Sequence, residues 1–579
     1  MLNLMSRFLR VFAVVAATVL AAPAQASRAQ TGAPGSAADS KSLSAQVDKV
    51  FVLFDKPDAP GCALAVIKDG QTVYKRGYGM ADLDHDVPIK PDTVFHVASV
   101  SKQFTAMAVM LLAKQGKLSL DDQVRKYVPE LREFEQPITI RQLLHHTSGL
   151  RDQWELLIMS GWRLSEDVVR DEDVLDLISR MKSLNFPPGE RYLYSNTGFT
   201  LAAQIVKRVS GQSFREFTEE NIFKPLGMTR TFFRDDHAVI VKGQAYAYYG
   251  APNNAFKLSV PNYDTVGPSS LLTTVEDLAR WDQNFYDARV GGADVIAQMQ
   301  TSGALNGGAE IGYGLGLAVG TYKGLKIVEH SGADAGYRSH LIRFPDQRFS
   351  VACLCNLGSS SPGVFARKVA DIYLADQLKP ETAKSDAGGF QPGEKSLNSK
   401  TGAYWTSSTE ELARVTKVGN KLFLAYDGAN AELTPVDENR FRSPAINAEA
   451  RFESPSEGGR RLVLTTPGRK PILFDALAPF PSDKGPNAQQ LADCAGAYYS
   501  EEIDSVYKLA VQDGKLTLTR KKYQPVTLTP VAKDVFTIVG SGSIRVTRDN
   551  QNRVNGFVLS RGRIKNFRFD KLPNPQSQR

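Results

Sequence analysis

The chain of 579 residues is 42% hydrophobic and 23% charged, which excludes a chain too polar to build a core. Its length predicts roughly two to four domains. The formal charge of +8 comes with no nucleic-acid-binding motif, so nucleic acid is not an expected partner.

Arg7 and Arg10 precede an apolar run, Val11 to Ala22, and Ala24-Gln25-Ala26 then supplies a small-x-small cleavage site. Residues 1–26 are therefore expected to be an export signal cut before Ser27, which places the mature protein in the periplasm or outside the cell. An uncleaved anchor is the alternative. No later segment approaches the ~18 consecutive apolar residues of a spanning helix. Ser27 to Ser42 reads as a flexible leader.

The run "CALAVIKDGQTVYKRGYG" predicts a hairpin with Asp69-Gly70 as its turn. Ser99-Val100-Ser101-Lys102 follows. Phe104, Met107, Ala108, Leu111 and Leu112 lie at helical spacing, with Gly116 as a stop, so Ser99 is expected at a helix N-terminus with Lys102 one turn on. Backbone N–H groups there favour developing negative charge. A desolvated lysine loses its proton readily and can activate a hydroxyl. The spacing alone is weak evidence, because Ser505-x-x-Lys508 shares it within a strand-like segment.

His145 and His146 are adjacent rather than four apart, which suits a turn and not a helix-face metal pair. Helical patterns dominate to about Leu226, and within them Tyr194-Ser195-Asn196 stands immediately before another helical run. Strand-like runs return at "YGLGLAVG", "YRSHLIRF" and "FSVACLCN", and "VEHSGADAGYRSHLIRF" carries His330-Ser331-Gly332, expected at the start of a strand. Early and late strands around a helical middle predict an α+β domain over residues 43–379. Cys353 and Cys355 point the same way along one strand and cannot readily bridge each other. With Cys62 and Cys494 they read as small buried hydrophobes, with a bridge from Cys62 to one of the pair left open.

Pro380–Ser396 and Pro479–Gln490 read as linkers. The segments beyond them repeat: "GAYWTSSTEELARVTKVGNKLFL" from Gly402 matches "GAYYSEEIDSVYKLAVQDGKLTL" from Gly496, and "LTPVDENRF" matches "LTPVAKDVF". Each copy, 397–478 and 491–575, predicts a small antiparallel β-barrel. From Lys515 to Lys571 thirteen Lys and Arg face three Asp, which reads as a solvated barrel face, with weak contact to anionic cell-envelope polymer as the alternative.

Ser-x-x-Lys, Tyr-x-Asn and a His-Ser-Gly strand motif, in that order, resemble the serine β-lactamase-like superfamily (peptidase family S12). Its members include class C β-lactamases, low-molecular-weight penicillin-binding proteins, D-aminopeptidases and esterases. "GKLSLDDQVRKYVPEL", "ITIRQLLHHTSGL", "IFKPLGMTRT" and "SSLLTTVEDLARW" agree, and the likeness spans Val47 to Leu378. The resemblance implies an antiparallel sheet flanked by helices, followed here by two lipocalin-like barrels, and a metal-independent, cofactor-free enzyme. Ser99 would be the acylated nucleophile, with Lys102 or Tyr194 as base. Asn196 would bind the substrate amide and Lys102, and the backbone N–H groups of Ser99 and Ala333 would form the oxyanion hole. His330, Ser331 and Gly332 would line the substrate. In relatives carrying such barrels, a barrel loop can help shape the active-site entrance.

His330 stands where β-lactamases carry a permanently charged lysine, which argues against efficient β-lactam hydrolysis. A literal Lys400-Thr401-Gly402 lies after the first linker and reads as a decoy. The expected partner is a small peptide, amide or ester. An exported amide hydrolase acting on D-amino-acid peptides leads; a carboxylesterase or weak β-lactamase, and a non-catalytic binding protein, are the alternatives.

Overall fold

A computed structural model describes residues 37–379, 390–455, 459–466, 470–480, 485–538 and 542–573. The export signal lies outside the described residues, as do parts of both linkers. From Ala37 onward the segment read as a flexible leader is instead the start of helix α1 (Ala37–Phe51), whose Val47 and Phe51, four apart, are fully buried.

Strands β1 (Cys62–Lys68) and β2 (Gln71–Tyr78) form the expected hairpin, and Asp69 and Gly70 both take positive φ (52° and 77°), as a two-residue turn requires. Two central helices follow, α2 (Lys102–Lys114) and α3 (Asn196–Ser210). The chain then returns through β3 (Ala318–Tyr322), β4 (Leu325–Asp334), β5 (Tyr337–Phe344) and β6 (Phe349–Cys355), and helix α4 (Pro362–Tyr373). The six strands make one antiparallel sheet in the order β3-β4-β5-β6-β1-β2, so the first and last parts of the domain pair directly. Alternate residues of β1 feed two cores. Cys62, Leu64 and Val66 pack under α1 and α4, and Ala63, Ala65 and Ile67 pack under the helical middle. A sheet covered on both faces explains why β6 is buried at every position.

Four expectations are corrected here. Antiparallel pairing sets Cys62 opposite Cys355, and the two form a disulfide; Cys353 and Cys494 stay free and buried. Helix α2 has no single apolar stripe: Lys102 to Met110 and Leu112 are all buried, because the helix runs through the middle of the domain. His330-Ser331-Gly332 lies in the second half of β4, not at its start. The linkers are shorter than read, because short helices, Glu394–Lys400 and Ala488–Cys494, lead into the barrels.

Both repeats are closed eight-stranded antiparallel barrels, one from Gly402–Thr406 to Ile472–Ala476 and the other from Gly496–Ser500 to Ile564–Lys571. The likeness reaches single bonds: the Tyr404 hydroxyl donates to the Lys400 carbonyl (2.7 Å) and the Tyr498 hydroxyl to the Cys494 carbonyl (2.6 Å). Both decoys resolve. Lys400 ends a helix, buried, with its amine on Ser396 Oγ at 2.7 Å. Ser505 and Lys508 fall on opposite faces of a strand, one buried and one exposed.

The basic excess of the second barrel is not simply a solvated face. Lys522, Arg561 and Arg563 pair with Asp167, Glu155 and Asp152 of the first domain, and Arg545 and Lys565 pair with Glu410 and Glu411 of the first barrel. Among the described residues no helix is long and apolar enough to cross a membrane.

Candidate active site

Ser99 lies in a single 3-10 turn, Ala98–Ser101, that runs straight into α2. Ala98 holds a left-handed φ of 47°, uncommon for a residue with a Cβ. The neighbours over-determine this turn. The Ser101 hydroxyl donates to the Ala98 carbonyl (2.5 Å) and accepts from the Leu271 N–H (3.2 Å). Burial pushes His96 down to about 3, so its ring is neutral; its Nε2 accepts from the Ser270 N–H (3.2 Å).

Lys102 is completely buried and its Nζ touches three oxygens: Ser99 Oγ (3.0 Å), Asn196 Oδ1 (2.8 Å) and the Pro268 carbonyl (2.9 Å). Burial, then the positive charge of Arg563, hold its pKa well below the ordinary lysine value. A neutral amine has two hydrogens and one lone pair. Asn196 Oδ1 and the Pro268 carbonyl can only accept, so they take the hydrogens and the lone pair faces the Ser99 hydroxyl. Tyr194, hydrogen-bonded to Ser99, moves the other way: burial raises its phenol above the usual tyrosine value, which favours a proton donor over a phenolate. Of the two candidate bases the electrostatics favour Lys102.

Asn196 opens α3, and Asp152 sets its amide the right way round. Asp152 Oδ2 accepts from both the Asn196 backbone N–H and its Nδ2 (2.8 Å each), which turns Oδ1 towards Lys102. Asp152 itself caps the helix Gln153–Ser160 through Oδ1 and the Trp154 N–H (3.1 Å). His146, expected beside a turn, is buried against Tyr194 with ring centroids 4.2 Å apart, and its Nδ1 accepts from the Ser195 N–H (3.1 Å). It holds the Tyr-x-Asn segment.

In β4, residues alternate between a buried and an exposed face: His330 and Gly332 are buried, Ser331 and Ala333 exposed. A Cβ on Gly332 would sit 2.3 Å from the Val97 carbonyl and 2.2 Å from Ser339 Oγ, so only glycine lets the strand press against the nucleophile turn. That approach brings Ala333 to the cleft wall beside Ser99, the arrangement an oxyanion hole of two backbone N–H groups needs. His330 is not free to meet a substrate charge. Its Nδ1 is 2.7 Å from the Ser331 carbonyl, which only accepts, so Nδ1 carries the proton and Nε2 accepts from the Tyr313 hydroxyl (2.9 Å). Burial and nearby Lys102 push it down to about 3.

Ser99, Lys102, Tyr194, Asn196 and the His330–Ala333 strand thus converge. Two clefts, of about 780 and 640 Å³, meet at Ser99. The motifs do not show His96, His146, Asp152, Tyr313 or Arg563. Arg563, from the turn between the last two strands of the second barrel, lies 4.6 Å over the Tyr194 ring and donates to Asp152 Oδ2 (3.3 Å). A barrel loop at the entrance was the expectation; the fivefold-donor side chain it delivers had no sequence signal.

Known proteins resemble this chain over most of its length. The β-lactamase family model matches residues 47–376. A D-aminopeptidase of Cereibacter sphaeroides (strain ATCC 17029) is 32% identical over 463 residues, covering 79% of this chain and 82% of its own. Penicillin-binding protein 4* of Bacillus subtilis is 30% identical over 440 residues, covering 72% and 95%. The octameric penicillin-binding protein homologue of Pyrococcus abyssi superposes with a TM-score of 0.52 at 26% identity, over 75% of this chain and 99% of that one.

Proposed function

The chain belongs to the β-lactamase family and is a serine hydrolase; on that premise we propose that it is an exported enzyme that cleaves amide bonds of D-amino-acid peptides through an acyl-enzyme on Ser99. The observation that carries this reading is the buried Lys102 Nζ 3.0 Å from Ser99 Oγ, with two acceptor-only oxygens, Asn196 Oδ1 and the Pro268 carbonyl, as its other partners. Ser99 Oγ attacks the carbonyl carbon while its proton passes to Lys102 Nζ. The oxyanion is held by the Ser99 and Ala333 N–H groups. As the carbon–nitrogen bond breaks, the Tyr194 hydroxyl protonates the leaving nitrogen and is reprotonated from Lys102. Water then attacks the ester by the same route in reverse. D-Aminopeptidase relatives aligned over most of their length support the choice of D-residue amides. The Cys62–Cys355 disulfide supports export, since such bonds persist in oxidising compartments.

The test sets rates side by side on a D-alanyl anilide, a nitrophenyl ester and a chromogenic cephalosporin, with the Ser99 acyl adduct followed by intact mass. The anilide should be turned over fastest relative to its solution reactivity, and the cephalosporin slowest because no charged lysine stands at position 330. Turnover of the ester alone replaces this reading with an esterase. Inertness to all three, without labelling by a fluorophosphonate, replaces it with a binding protein.

A further inference from the structure

The third motif offers substrate no positive charge: His330 is buried, neutral and engaged at both ring nitrogens. Other cations lining the clefts are spoken for. Arg367 forms a two-bond pair with Glu329 (2.6 and 2.7 Å), and Arg163 and Lys522 share Asp167. Two guanidiniums line both clefts beside Ser99 with donors to spare, Arg338 and, although it pairs with Asp152, Arg563. Arg338, directly across from Ala333 in the β4–β5 register, bonds only backbone carbonyls and has no carboxylate within ion-pair distance among the described residues. Arg563 gives a single hydrogen bond among the described residues, to an Asp152 carboxylate already accepting from Asn196 twice, and its side chain is 41% exposed.

Arg563 is also held in place. It sits in the turn between β7 (Val554–Arg561) and β8 (Ile564–Lys571). Buried Asn185 clips that turn from the first domain: its Nδ2 donates to the Arg563 carbonyl (2.9 Å) and its Oδ1 accepts from the Lys565 N–H (2.7 Å). A guanidinium has five donors in a planar fork suited to two-bond recognition of a carboxylate. One donor is used, the guanidinium lies 4.6 Å over the Tyr194 ring, and Arg563 lines both clefts that meet at Ser99.

We propose that Arg563, carried into the active site by the second barrel, anchors a carboxylate of the substrate, with Arg338 as the second cation lining the same clefts. This rests on Ser99 as the acylated nucleophile but not on the bond cleaved. The enzyme so read prefers substrates bearing an anionic group near the scissile bond, and its charge recognition comes from a different domain than its chemistry. A peptide C-terminus and an acidic side chain present the same chemistry to the fork.

The experiment compares kcat/KM of wild type, Arg563→Met and Arg563→Lys on two matched series. The amide series is D-alanylglycine, its C-terminal amide, and D-alanyl-glutamic acid blocked at its C-terminus. The ester series is nitrophenyl hydrogen succinate against its methyl ester. Compared on the high-pH plateau of each variant, where Lys102 is neutral throughout, Arg563→Met should lower kcat/KM by roughly 30-fold for an acid member and by about 3-fold or less for its neutral partner, and Arg563→Lys should recover most of the difference. Which acidic dipeptide suffers more tells a C-terminal from a side-chain carboxylate. Melting temperature checks folding, and the wild-type acid-to-neutral ratio stands as a measurement needing no variant. Equal losses on acid and neutral members, or a wild type with no preference for the acid in either series, overturn the proposal. Wild-type turnover of esters but not amides sinks the reading under Proposed function and leaves the ester pair to decide Arg563.

Discussion

Ser99 bonds Lys102 and Tyr194 and carries no packing of the core, so Ser99→Ala should reduce turnover by about 10⁴-fold or more with a melting temperature close to wild type. Residual activity within tenfold of wild type would falsify its role as nucleophile. Lys102 makes a second prediction through linkage. Its pKa is depressed in the folded protein, chiefly by burial. The unfolded chain therefore binds a proton that the native state refuses between the lowered value and the ordinary 10.5. Native stability on this account rises with pH across that window, and at neutral pH the lysine is a net burden. Lys102→Met should abolish turnover yet melt higher than wild type at pH 7, with the gap closing towards pH 10.5; a lower melting temperature at pH 7 would refute the neutral, desolvated amine. Activity needs the same neutral form, so kcat/KM should climb with pH through the lowered Lys102 value. Because the Arg563 charge is the second cause of that depression, Arg563→Met should move the climb to higher pH, read from the pH profile on a neutral substrate. The residues that do chemistry by side-chain type were legible in the sequence, since Ser99, Lys102, Tyr194 and Asn196 come in a recognisable order. Asp152 and His146 were not, because each works by accepting a backbone N–H from a segment over 40 residues away, and no local spacing encodes that.

At the scale of elements, the site depends on how closely β4 lies against the turn that starts α2. Ser339 Oγ donates to the Val97 carbonyl (2.7 Å), and a methyl group at Gly332 would collide with both partners. Gly332→Ala should destabilise the protein by about 1–3 kcal/mol and lower kcat more than it raises KM, because the displaced strand carries the Ala333 N–H. Thermal denaturation with steady-state kinetics checks both, and an unchanged kcat would show that the strand does not set the oxyanion hole. The strands were legible to within a residue where an apolar run marks them, as in Tyr337–Phe344 and Phe349–Cys355, but the glycine-rich run from Tyr313 becomes strand only at Ala318. The disulfide was legible only as an open alternative, a bridge from Cys62 to Cys353 or Cys355: Cys62 and Cys355 are 293 residues apart, and the β1–β6 register is what selects the pair. Helix α2 was misread as one-sided because periodicity reports the most apolar face. It does not report that Gln103 and Thr105, on the other side, are also buried and bonded inward to Trp281 and the Gly267 carbonyl.

At the scale of the molecule, the second barrel is part of the enzyme's interior. Its core is continuous with that of the first domain, and Arg151, fully buried, meets Glu502 of the barrel at 2.6 Å. Glu502 Oε2 also accepts from the Lys182 N–H (2.8 Å), and the Tyr507 hydroxyl from the barrel donates to the Met159 carbonyl (2.9 Å). Repetition made the barrels visible in the sequence, but not their docking, since the surfaces that meet are the positions at which the two copies differ. Removing one member of a buried pair leaves the other charged and dry, at a penalty of about 3–5 kcal/mol, whereas replacing both with apolar side chains is close to neutral. Glu502→Ala should therefore lower the melting temperature and open the barrel interface to limited proteolysis, and kcat/KM should fall with it as Arg563 withdraws from Tyr194. The double variant Arg151→Met, Glu502→Met should melt nearer to wild type than the single one and regain activity in step. Adding Arg563→Met to Glu502→Ala should then lose less than the two changes summed, because the first has already displaced what the second removes. If Glu502→Ala unseats the barrel and acid-substrate turnover stays at the wild-type rate, the second barrel has no part in the active site.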